Sequence, residues 1–217
     1  MKKLILLLLI VAAVPCYSSE SPRDRKLLRF LHSNKAFLNW QLNWKKMQPR
    51  FNLSQMKFDR EDSIKPKEIS GFSFQILQRQ NRLPFLFFCP NGSKAIYPFG
   101  FAGLSAHEGG YEIGFDDSNP FLLYDFTNMK CYELIFSGLY GPTFDGIAWL
   151  HNNLAIIASA SWVGDQLENV RPELITIDFK RKLIKRFAGS PVEEKIYFEK
   201  RENRMVVEPY LIVKYKP

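Results

Sequence analysis

The run Asp145-Gly146-Ile147-Ala148-Trp149-Leu150-His151-Asn152-Asn153-Leu154-Ala155-Ile156-Ile157 places a polar His-Asn-Asn step between two short apolar runs. That is the pattern of a β-hairpin, here with a tryptophan in its first strand. Two similar segments flank it. On one side Pro120-Phe121-Leu122-Leu123-Tyr124-Asp125-Phe126 leads through a four-residue turn region into Cys131-Tyr132-Glu133-Leu134-Ile135. On the other, Pro172-Glu173-Leu174-Ile175-Thr176-Ile177-Asp178-Phe179 leads through a shorter turn into Leu183-Ile184-Lys185-Arg186-Phe187. Each copy reads as a proline, an apolar strand ending in Asp-Phe, a polar turn and a second strand. The two Asp-Phe pairs stand 53 residues apart.

More strands surround this core pattern. Residues 72–77 alternate, residues 86–89 and 95–97 flank an Asn91-Gly92 turn, and short runs at 111–113, 196–198 and 211–215 add to the set. Closely spaced short strands separated by turn residues predict a mainly β, antiparallel domain over 71–217. The order of hairpin followed by an Asp-bearing outer pair resembles the blade unit of a β-propeller, and the Pro90-Asn91-Gly92-Ser93-Lys94 turn resembles those of exported bacterial proteins with such blades. The resemblance covers residues 84–190 and concerns architecture only; it implies no activity. Roughly 150 residues make three blades at most, and closed propellers have at least four. The expected fold is therefore an antiparallel meander or an incomplete propeller-like domain preceded by an α-helical segment.

The 217 residues are 46% hydrophobic and carry only three cysteines, which excludes a disordered chain and a disulfide-dense miniprotein. Lys2 and Lys3 precede an apolar run over residues 4–14, the form of a secretory signal peptide over 1–18. Residues 13–16 resemble a lipobox with Cys16 as the lipidated cysteine, although Pro15 stands where that pattern takes a small residue; the competing cut follows Ser18. The expected location is the periplasm or the cell exterior, with a lipid anchor if Cys16 is retained. Cys89 and Cys131 remain, as one disulfide or as two buried thiols.

Charge is unevenly spread: residues 19–67 carry net +7, 68–178 net −7 and 179–217 net +6. Basic flanks suit an anionic lipid surface or an acidic partner, or they pack against the acidic middle. Residues 19–70 read as a basic helical segment and connector. Leu27, Phe30, Leu31, Leu38 and Leu42 form one helical stripe, with Phe37, Trp40, Trp44 and Met47 adjoining it. Ser21 and Pro22 suit its start, and Ser33-Asn34 is its break point. The two tryptophans either lie on a membrane or pack on the domain behind them.

Candidate chemistry is sparse. His107, Glu108, Glu112, Asp116 and Asp117 form the densest polar group, without the spacing of a calcium loop, and no histidine or cysteine pair has zinc spacing. Gly103-Leu104-Ser105-Ala106-His107 lacks the final glycine and the following helix of a nucleophile elbow. Trp162, flanked by Ser161 and Gly164 in an expected loop, is the best placed aromatic for binding, and Trp149 belongs to the core. No metal or cofactor is expected. The function expected is a non-catalytic binding or assembly role at the envelope, toward a protein or polymer and not nucleic acid. The alternative is a secreted hydrolase or small-molecule binder using residues 105–117.

Overall fold

A computed structural model of the chain describes residues 25–70, 85–100, 103–107, 110–114, 120–135, 143–164, 167–200, 204–207 and 211–215. Two helices come first, α1 (Arg25–Ser33) and α2 (Lys35–Met47). Asn34 separates them: its backbone is extended and its Oδ1 accepts from the Ala36 amide at 3.1 Å. An asparagine cap satisfies an amide that a helix start leaves open, so the chain restarts a helix at the expected break. The expected start at Ser21 and Pro22 lies outside the described residues, as do the signal segment and the strand over 72–77.

Two strands follow in the segment expected to be a connector, β1 (Lys57–Ser63) and β2 (Lys67–Ile69). The main series then runs β3 (Phe87–Phe88), β4 (Lys94–Tyr97), β5 (Gly103–His107), β6 (Gly110–Gly114), β7 (Phe121–Asp125) and β8 (Lys130–Ile135). It continues with β9 (Thr143–His151), β10 (Leu154–Val163), β11 (Asn169–Asp178), β12 (Leu183–Ala188) and β13 (Val192–Glu193). Helix α3 (Glu194–Lys200) precedes β14 (Arg204–Val207) and β15 (Leu211–Tyr215). The first sheet has the order β1-β12-β11-β10-β9, with β13 beside the start of β11; the second is β2-β8-β7-β4-β3; the third is β14-β15-β6-β5. Pairing is antiparallel except between β15 and β6, which run parallel. The chain is thus mainly antiparallel β, in open sheets rather than a closed ring.

The two larger sheets repeat one arrangement. In each, four strands run up and down side by side (β3-β4-β7-β8 and β9-β10-β11-β12), and an earlier strand adds outside the fourth. Asp125 Oδ1 accepts from the amides of Thr127 and Asn128 at 3.0 and 3.1 Å, and Asp178 Oδ1 from those of Lys180 and Arg181 at 3.0 and 2.9 Å. Such Asx turns replace the backbone bonds that the strand loses where it ends. Both turns finish with a left-handed residue, Met129 at φ 53 and Lys182 at φ 57. The Phe126 amide donates to the Ser93 carbonyl and that of Phe179 to the Asn153 carbonyl. Phe126 stacks on Phe88 at 5.5 Å, and Phe179 on Trp149 at 5.3 Å. The two turns therefore have equal length, contrary to the sequence reading. The prolines are not equivalent: Pro172 lies one residue further from its aspartate than Pro120, and a register shift interrupts the β7–β8 ladder between Phe121 and Leu122.

One face of the first sheet buries Ile147, Trp149, Ala155, Ile157, Ile175 and Ile177 in a cluster shared with Ala95, Ile96, Tyr97, Leu123 and Tyr124 of the second. Its other face buries Ile156, Ala158, Ala160, Leu174 and Phe187 beneath Leu31, Phe37, Trp40 and Trp44 of the helices. Successive strand residues point to opposite faces, so β10, covered on both, is apolar at nearly every central position. A Cβ on Gly146 would stand 3.2 Å from that of Ala36, and the bare glycine lets the start of α2 rest on β9. Trp40 and Trp44, 2% and 1% exposed, are core residues and do not lie on a membrane. Removing either side chain costs about 3–5 kcal/mol.

Two expectations change, and one open alternative is decided. Leu38 and Leu42 do not join Leu27 and Leu31 in the core but are exposed, because the restart at Asn34 turns the aromatic stripe of α2 toward the sheet. Residues 196–198 form part of α3, where Tyr197 alone of the three is buried and Lys195 reaches Glu199 one turn on at 4.0 Å. Cys89 and Cys131 are buried free thiols. They sit in one sheet, Cys89 just after β3 and Cys131 on β8, with β4 and β7 between. Three strand spacings make about 14 Å, twice the ~7 Å limit that a disulfide tolerates between Cα atoms.

Candidate functional site

Of the residues singled out in the sequence, His107 and Trp162 fall on described segments, whereas Cys16, Glu108, Asp116 and Asp117 lie outside them. His107 ends β5 and pairs with Gly110 of β6. Residues 103–107 are thus a strand entering a hairpin, not the strand-to-helix elbow that exposes a nucleophilic serine. Glu112 lies on β6 between Ser105 of β5 and Lys214 of β15.

Trp162 belongs to β10, not to a loop; the strand ends one residue later at Val163, and Gly164 follows it with a φ of +98 that suits only glycine well. Its indole Nε1 donates to Glu194 Oε1 at 3.0 Å, and its ring packs against Tyr197 and Phe198 at 6.1 and 6.4 Å. Tyr197 in turn meets Trp44 at 5.8 Å. The polar and apolar parts of Trp162 are both committed to tying the first sheet to α3, so it is a structural peg. Trp149 does similar work between the sheets, donating its Nε1 to the Phe87 carbonyl at 2.7 Å.

A second polar group went unnoticed in the sequence. Glu173 of β11 and Arg186 of β12, 2% and 7% exposed, are diagonal neighbours across the ladder, with Arg186 Nη1 3.3 Å from both carboxylate oxygens. Ser159 Oγ lies 3.4 Å from Glu173 Oε2, and Asp62 Oδ2 lies 3.8 Å from Arg186 Nε. A guanidinium does not give up its proton, and Glu173 is engaged by it, so the group lacks a base to activate Ser159. It is an electrostatic clip across β10, β11, β12 and β1. The signal in the sequence was the single glutamate inside the apolar run 172–177. Among the described residues no three His, Cys, Asp or Glu side chains gather as a metal site.

The remaining candidate is the outer face of the helices. From residue 25 to residue 58 the chain contains eight lysines and arginines and no aspartate or glutamate. On α1 the exposed residues are Arg25, Lys26, Arg29, His32 and Ser33. On α2 they are Lys35, Leu38, Leu42, Lys45 and Lys46, with Leu38 37% and Leu42 55% exposed. Lys46 Nζ reaches Asn43 Oδ1 at 3.4 Å along the helix surface. The last turn of α2 carries Lys45 and Lys46, where the negative helix end favours cations. The face is cationic, with a small apolar stripe inside it. Among the described residues no helix is long and apolar enough to cross a membrane. Comparison with protein-family models, with curated proteins and with solved structures found no match to this chain.

Proposed function

We propose that this chain is an exported, non-catalytic binding protein of the bacterial periplasm or cell envelope, and that α1 and α2 form its docking face. The observation that supports this reading is the acid-free helical surface, on which every exposed position of α2 is a lysine or a leucine. A core-facing helix needs only one apolar stripe, and the aromatic stripe of α2 already supplies it. Leu38 and Leu42 are surplus to folding, and that surplus is what a partner would cover. In this reading the two four-stranded units are blades of an incomplete propeller and serve as the scaffold. Residues 1–18 direct export, leaving a soluble chain or one anchored at Cys16.

A photo-crosslinking residue placed at Leu42 tests this in the native host, with Phe88, an exposed residue of the second sheet, as the comparison position. Purification and mass spectrometry then identify adducts and the mature N-terminus together. The expected result is an envelope adduct from position 42 only, on a chain that starts at residue 19 or at a lipidated Cys16. A full-length cytosolic chain, or adducts that form equally from both positions, would overturn the reading.

A further inference from the structure

We infer that the occupant of this face is an anionic phospholipid surface, into which Leu38 and Leu42 insert. The inference rests on the docking role proposed above for the helices. At about 100° per residue, Leu38 and Leu42 share one stripe, and Lys45, Leu38, Leu42, Lys35 and Lys46 fit within an arc of about 100°. The leucines occupy the middle of that arc and the lysines its margins. An apolar centre that dips below the headgroups, flanked by cations at phosphate level, is the arrangement of a helix lying in a membrane interface. A protein partner would have to provide a groove for two leucines on a convex rod and carboxylates on both sides of it. A bilayer accepts a convex face without any preformed shape. Arg25, Lys26 and Arg29 of α1 extend the cationic surface without adding a carboxylate that anionic lipid would repel. Trp40 and Trp44 take no part, being buried against the sheet.

The test is flotation of the mature chain starting at residue 19 with vesicles of phosphatidylcholine alone, or of phosphatidylcholine with about one-third phosphatidylglycerol. Binding is expected only to the mixed vesicles, and it weakens as salt rises. Lys45→Glu with Lys46→Glu removes it. Leu38→Ser with Leu42→Ser lowers the partition coefficient about tenfold or more. Circular dichroism should be unchanged in both variants, because all four side chains are exposed. Failure of the wild-type chain to float with the mixed vesicles at low salt overturns the lipid inference. If position 42 still traps an acidic envelope protein, the docking role survives with a protein as occupant; if it traps nothing, both readings fall. Flotation that ignores the leucine pair shows surface adsorption and overturns insertion.

Discussion

In the unit β3-β4-β7-β8 the strands are two to six residues long, whereas in β9-β10-β11-β12 they are six to ten. The turns are nonetheless alike, down to the aspartate, the following phenylalanine and the left-handed residue four places on. Turn geometry is thus set locally, by a side chain that accepts from the amides two and three residues on, while strand length answers to what is stacked above. The second unit carries helices on one face and the other sheet on its opposite face. Its extra length supplies Ala158 and Ala160 to the helix-side cluster. The same extension carries the buried Ser159–Glu173–Arg186 group.

The largest effect should come from breaking that group, where the units differ. Glu173→Gln removes the buried counter-charge of Arg186, leaving only the half-exposed Asp62 at 3.8 Å, and should cost about 3–5 kcal/mol in urea unfolding. The double change Glu173→Met with Arg186→Met should recover most of that loss. If the double variant is no more stable than the single ones, the pair is not the electrostatic clip described above.

A smaller effect sharpens the likeness. Met129→Gly and Lys182→Gly each relieve a left-handed residue and should stabilise by about 0.5–1 kcal/mol, by equal amounts. Thermal unfolding of the two variants side by side checks this, and unequal gains would show that the turns differ in their surroundings.

The smallest effect is confined to alkaline solution. Cys131 occupies in the first unit the place that Ile184 holds in the second, each paired across from the residue before the turn aspartate. Burial pushes its thiol up from 9.0 to about 11. The unfolded chain ionises first, so stability is fully present below pH 9.0 and is lost as pH rises toward about 11. Cys131→Val should flatten that loss in unfolding curves across the same window, whereas Cys89→Val, at a thiol outside this ladder, serves as the comparison.

The hairpins at 91–92 and 151–153 and the Asp-Phe turns were legible because each depends on residues a few places apart. β1 and β2 were not. As an edge strand, β1 pairs through its backbone and leaves its side chains mostly exposed, so it shows charge instead of alternation. Glu61 meets Lys185 at 3.3 Å, and Glu68 of β2 meets Lys130 at 2.8 Å, contacts that no local pattern reveals. The cationic run on the helices was plain in the sequence. Which leucines it surrounds was not, since that depends on the turn the chain takes at Asn34. Trp162 was misread because its neighbours Ser161 and Gly164 suggested a loop, although the strand reaches past it.

The pairing of β1 with β12 has a consequence for the order in which the molecule is made. Lys57 lies opposite Ala188, and Tyr111 opposite Val213 in the parallel pair of the third sheet. The first partnership waits for residue 188 and the second for residue 213. Contacts this distant in sequence slow folding, and the early part of the chain waits, without its sheet partner, for the part that completes it. Until residues 183–188 are made, β1 has no strand edge to pair with, and its backbone donors and acceptors stay open to solvent.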